Sequence, residues 1–147
     1  MLDKKIDEEL INKLYEELRK NYNDKTYDEI VKINNKYINN FAAELKKSGL
    51  SEKTIKNHIS NLDLFLNQYM LKELINNLFN GYGAINMFME FYINKCMYSN
   101  ASGVKELSTS IKKFYKFMFD LGFINDEDMY VLKELINENL DNWIKEA

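Results

Sequence analysis

The stretch SEKTIKNHISNLDLFLNQY, residues 51–69, decides the fold class. Ser51 stands where a helix N-cap is expected, and Ile55, Ile59, Leu62, Leu66 and Tyr69 follow at three- and four-residue steps. With 100° per residue and Ile55 at zero, Ile59, Leu62 and Leu66 fall within about 40° of it. Lys53, Lys56, Asn57 and Ser60 fall between about 100° and 200°. One face is built for a core. The opposite face is basic and rich in hydrogen-bonding groups.

The same period extends outward in both directions. Upstream, a first helix is expected from about Asp3 to Tyr22, with Ile6, Leu10, Leu14 and Leu18 facing inward. A second is expected to open on a capping box, Thr26 with Glu29, and to bury Ile30, Ile33, Tyr37, Phe41 and Leu45. It should stop at Ser48-Gly49, where glycine suits a left-handed cap. Downstream, the apolar positions crowd together: Met70, Leu71, Leu74, Ile75, Leu78 and Phe79. There the third helix either runs on or kinks into a separate turn before Gly81-Tyr82-Gly83. A fourth helix over Ile85–Met97 is apolar on most sides and should be central to the core. A fifth carries Val104, Leu107, Ile111, Phe114, Met118 and Leu121 as one stripe and ends at Gly122. Asn125 or Asp126 caps the last, whose first turn holds Asp126, Glu127 and Asp128. The expectation is an all-α, single-domain orthogonal bundle of about six helices over residues 1–147.

Composition supports that class. Proline is absent and there are five glycines, so nothing interrupts long helices and few positions favour tight hairpins. No apolar run is long enough for a membrane span, and no leader pattern opens the chain, so a cytoplasmic protein is expected. Charge is uneven. Residues 1–30 sum to −3, residues 31–122 to +5 and residues 123–147 to −5.

Several chemistries are unfavoured by what the chain lacks. His58 and Cys96 are the only histidine and the only cysteine, so neither a nucleophilic triad nor a zinc site can be assembled from them. No glycine-rich phosphate loop occurs. Cys96 reads as a buried structural thiol. Glu90 reads as a rim charge or a paired core charge, and His58 as facing outward near the rim of the third helix. No enzyme activity, cofactor or metal is expected.

The fifth helix repeats the two-faced design of the third. With Ile111 at zero, Lys105, Lys112 and Lys116 lie at about 100° to 140°, Thr109 at about 160° and Lys113 at about 200°. Lysines of this kind neutralise phosphates, while hydroxyl and amide side chains fix register by hydrogen bonds. A solvated lysine face is also what any amphipathic helix in a lysine-rich chain carries.

Two segments resemble a known family. FAAELKKSGLSEKTIKNHISNLDLFL (residues 41–66) resembles the start of the core-binding, SAM-like N-terminal domain of tyrosine recombinases, the phage-integrase family. The resemblance lies in Gly49, Leu50, Ser51, Thr54, Leu62 and Phe65, with His58 where an aromatic tyrosine is usual. SNASGVKELSTSIKKFYKFMFDLGFI (residues 99–124) resembles that domain's last helix, through Phe114, Tyr115, Phe117, Leu121, Gly122 and Ile124. The likeness spans about residues 38–124. It implies a SAM-like helical module that clasps duplex DNA with two helices against the major groove. By position it implies contacts from Ser51, Lys53, Thr54, Asn57 and His58, and from Lys105, Thr109, Lys112 and Lys113. Lys47 and Lys116 flank these sets.

The departures are equally specific. Strand exchange in that family needs several arginines and a nucleophilic tyrosine from a second domain. This chain has one arginine, Arg19, outside the similar region. An acidic helix stands where the family places a linker. The lead expectation is therefore a stand-alone, non-catalytic DNA-binding relative, with Met1 and the acidic final helix arguing against a fragment of a longer recombinase. The alternative is a helical protein-interaction module in which the acidic terminal helices, with exposed parts of Trp143 and Ile144, dock a partner or a second copy.

Overall fold

The computed structural model describes all residues 1–147, and every regular element is helical. The chain forms two compact units, Met1–Phe79 and Asn80–Ala147.

The first unit holds α1 (Lys4–Lys20), α2 (Asp24–Lys47) and α3. α3 opens as regular helix over Glu52–Leu62, passes through a π-helical stretch over Asp63–Met70 and closes with one turn, Leu71–Glu73. It thus continues past Tyr69, but not as uniform α-helix. Its core is built from Ile11, Leu14 and Leu18 of α1, Ile30, Tyr37 and Phe41 of α2, and Leu62, Phe65 and Leu66 of α3.

Two local expectations for this unit are corrected. Ile6 and Leu10 are exposed, at 63% and 44%, because the inward face of α1 is centred on Ile11 and Leu18. That places Leu10 about 100° and Ile6 about 140° away from the core, and turns Asp7 inward instead. The N-cap of α2 is Asn23, whose side-chain oxygen accepts from the Thr26 N–H at 2.8 Å. Thr26 is therefore inside the helix and buried, not its cap.

α3 ends on Leu74, the chain's one non-glycine residue at positive φ (53°). Arg19, the lone arginine, donates from its guanidinium to the Leu74 carbonyl. Three residues on, the Asn77 amide donates to Asn12 Oδ1 at 2.9 Å, and Asn77 Oδ1 accepts from the Phe79 N–H at 2.8 Å. The irregular exit of α3 is thereby tied to α1.

The π-helical stretch is held by α2. Carbonyls that an α-helix would use internally are met by side chains: Tyr27 donates to the Asn67 carbonyl at 3.2 Å and Asn34 to that of Leu66 at 3.4 Å. Asn34 also donates to Asn67 Oδ1 at 2.9 Å, and Asn67 donates to Asn35 Oδ1 at 2.9 Å and to Asp63 at 2.8 Å.

The second unit holds a 3-10 turn (Gly81–Ala84), α4 (Ile85–Lys95), α5 (Ala101–Asp120) and α6 (Asp126–Glu146). α6 packs against both α4 and α5. α4 buries Ile85, Phe88, Met89 and Tyr92, while Glu90 is exposed and so is neither a core charge nor a buried acid. Cys96 is half-buried just past the end of α4. At the start of α5 a Cβ added to Gly103 would lie 2.0 Å from the Tyr92 hydroxyl oxygen, so any larger residue there forces that ring to shift. α5 ends with Gly122 at φ +79°, and α6 opens on a reciprocal capping box between Asn125 and Asp128. Asp128 also accepts from the Tyr82 hydroxyl at 2.5 Å. Trp143 is buried rather than presented to a partner, since it shares the inward face of α6 with Met129, Leu132 and Ile136.

Candidate nucleic-acid interface

The sequence around Gly49 builds the first basic face. Gly49 takes φ +89° and lets the chain turn from α2 into α3. Ser51 caps α3 by accepting from the Thr54 N–H at 3.2 Å, and its hydroxyl donates to Thr54 Oγ1 at 3.0 Å. Both hydroxyls are thus engaged with each other in the cap. Lys47, Lys53 and Asn57 are exposed, as are Ser51 and Thr54.

His58 departs from expectation. It is buried, with 7% of its surface exposed, and its ring lies edge-on to Phe41 at 6.2 Å. The inward face of α3 centres between His58 and Leu62, and Ile55 and Ile59 are only half-buried. The helix is turned slightly from the phase that the isoleucines suggest. That turn carries His58 into the core and leaves Lys53, Lys56, Asn57 and Ser60 outside. His58 is therefore withdrawn from the contact set.

α5 carries the second basic face. Asn100 caps it, its side-chain oxygen accepting from the Gly103 N–H at 2.8 Å. Eight of its residues, from Val104 to Met118, are buried and fix its orientation. Lys105, Thr109, Lys112, Lys113 and Lys116 are all exposed on the remaining surface. Lys105 and Lys112 are two turns apart, about 10 Å along the axis. Thr109 donates its hydroxyl to the Lys105 carbonyl at 2.9 Å, so it faces its own helix. Lys116 pairs with Asp120 one turn later. Lys105, Lys112 and Lys113 are in no ion pair, which leaves three uncompensated ammonium groups on one helix.

α5 packs against α6, whose first turn carries Asp126, Glu127 and Asp128. One of the three first-turn acids, Asp128, is committed to the capping box and to Tyr82, whose hydroxyl is pushed up to about 12 by burial and by that hydrogen bond. Asp126 and Glu127 remain exposed.

Neither protein-family models, curated proteins nor solved structures contain a match to this chain. Its chemistry therefore rests on its own side chains.

Two features escaped the sequence reading. Buried Asp7 accepts from the Tyr37 hydroxyl at 2.6 Å and pairs with Lys36 at 2.8 Å. Burial pushes its carboxyl up, but the hydrogen bonds from Lys36 and Tyr37 outweigh this and hold it below the usual range. Tyr37 is raised by burial and by Asp7. The other is the asparagine cluster bracing the π-helical stretch. Neither has a sequence signature, since the partners in both lie about thirty residues apart in the chain. No group of three or more acid, histidine or cysteine side chains is arranged to hold a metal ion, and no helix is long and apolar enough to cross a membrane.

Proposed function

We propose that this chain is a non-catalytic DNA-binding module, akin to the core-binding domain of tyrosine recombinases, that contacts duplex DNA mainly at phosphates. The observation that carries the reading is the exposed, unpaired set Lys105, Lys112 and Lys113 on a helix whose other face is wholly buried. Lys47 at the end of α2, with Lys53 and Asn57 on α3, supplies a second, smaller set. Because Ser51, Thr54 and Thr109 are engaged within their own helices, the lysines carry the binding and sequence preference is weak. The setting would be the cytoplasm.

The test is a fluorescence-anisotropy titration with mixed-sequence duplex at several salt concentrations. Removing two phosphate contacts lowers the slope of log K against log salt by about 1.8. Lys112→Glu with Lys113→Glu should reduce the slope by at least that much and abolish binding at physiological salt. Absence of duplex binding at low salt and tens of micromolar protein would falsify the reading.

A further inference from the structure

The lysines of α5 are not all alike. With Ile111 at zero, Lys105, Lys112 and Lys116 lie at about 100° to 140° and Asp120 at about 180°. They form one stripe, in which Lys116 follows Lys112 by one turn and Asp120 follows Lys116 by another. Lys105, Lys112 and Lys113 have no ion-pair partner. Lys116 has one. Its ammonium is bonded to the Asp120 carboxylate and lies 5.4 Å from the centroid of the Phe119 ring. Glu106, the other acid of α5, is exposed and in no ion pair.

Helix stability does not account for Asp120. It is the last residue of α5, where the negative end of the helix dipole disfavours an acid. Lysine followed by an acid is also the weaker order for a pair one turn apart. Both side chains are more than half exposed, at 57% and 58%, and exposed pairs of this kind add little to a fold. What the carboxylate does is occupy a lysine that would otherwise extend the row of free ammonium groups.

We infer, on the DNA reading above, that Asp120 is an autoinhibitory acid: it sits on Lys116 in place of a phosphate and holds that lysine out of the basic face. A carboxylate and a phosphate oxygen satisfy an ammonium in the same way. A duplex must therefore displace Asp120 to reach Lys116, and it then carries an uncompensated acid beside its backbone. The face is held below its full strength by a residue of the same helix.

Duplex titrations at several salt concentrations with Asp120→Asn, Lys116→Gln and the two together test this. Asp120→Asn should raise affinity at low salt by about threefold or more and steepen the slope of log K against log salt by about 0.9, the value of one further phosphate contact. Lys116→Gln should remove about 0.9 from the slope in the Asp120→Asn background and clearly less in the wild type. Equal losses in the two backgrounds overturn the inference, because Lys116 is then free already. A slope that Asp120→Asn leaves unchanged overturns it too, as does a marked fall of the thermal midpoint in that variant, which would assign the pair to the fold. Wild-type binding that is lost with Lys112→Glu and Lys113→Glu upholds the DNA reading whatever Asp120 does, and absence of wild-type binding at low salt removes both.

Discussion

Gly103→Ala tests the packing of the second unit most directly. At a helical position free of neighbours, alanine for glycine stabilises by up to about 1 kcal/mol. Here the new methyl would lie 2.0 Å from the hydroxyl oxygen of Tyr92. That ring is buried, with 4% of its surface exposed, so it has little room to retreat. Overpacking of this kind costs about 1–3 kcal/mol. Set against the propensity gain, a net loss of up to about 2 kcal/mol is expected for Gly103→Ala. The second arm removes the oxygen: after Tyr92→Phe the nearest remaining ring atom is 3.1 Å from the methyl. Gly103→Ala should then cost little, giving a coupling of about 1–2 kcal/mol between the two sites. Trp143, the sole tryptophan, is buried in the same unit and reports its urea unfolding by fluorescence. With a slope of about 2 kcal/mol/M, the single variant should lower the midpoint by up to about 1 M. A midpoint that rises on Gly103→Ala in the wild-type background would refute the close approach of Tyr92.

Other expectations follow from the first unit. Asp7 titrates lower in the folded chain than its ordinary 3.8, so its contribution is complete above that value and lost as pH falls through the lower folded one. Asp7→Asn should flatten this acid limb in pH-dependent urea unfolding and destabilise by about 2 kcal/mol at neutral pH; an unchanged acid limb would sink the assignment. His58→Ala should lower the thermal midpoint while leaving the salt dependence of DNA binding unaltered, since His58 is buried against Phe41. A stable His58→Ala protein with weakened DNA affinity would return that side chain to the interface. Arg19→Ala should destabilise by about 1.5–3 kcal/mol, the usual range for a hydrogen bond to a charged group. Backbone amide exchange near residues 74–79 should then quicken, and no change there would show the Arg19–Leu74 bond to be idle.

Most helix boundaries were legible because their signals are local. Ser51 and Asn125 cap within three residues, and Gly49 and Gly122 supply the positive φ that ends a helix. The exposed lysine faces were legible for the same reason, because burial of the opposite stripe forces them outward. What escaped was the rotation of α1, and to a smaller degree of α3, about its own axis. Leu14 and Leu18 are buried as expected, but Ile6 and Leu10 continued that stripe as well as Ile11 does, and periodicity cannot say which side a neighbour covers. His58 was misplaced by the same small turn of α3. Thr26 has no capping role because α2 starts earlier: Asn23 accepts from the Thr26 N–H, which places Thr26 in the first turn of the helix. The ties of Asp7 to Tyr37 and of Asn34 to Asn67 join residues far apart in sequence and become visible only in the packed unit.

The π-helical stretch over Asp63–Met70 has a consequence for how α3 is indexed. In a helix one residue is worth about 100° of rotation. A π turn absorbs extra chain without lengthening the rod in proportion, so it acts as a phase adjuster between the two ends of α3. The azimuth of Lys53 and Lys56 at one end is therefore set against Tyr69 and Leu71 at the other by the residue count in this stretch, not by any contact of the lysines themselves. Deleting a single residue there would swing the basic end around the axis while every lysine stayed in the chain. The direction in which this face looks is thus encoded seven residues and more away from the charges that compose it.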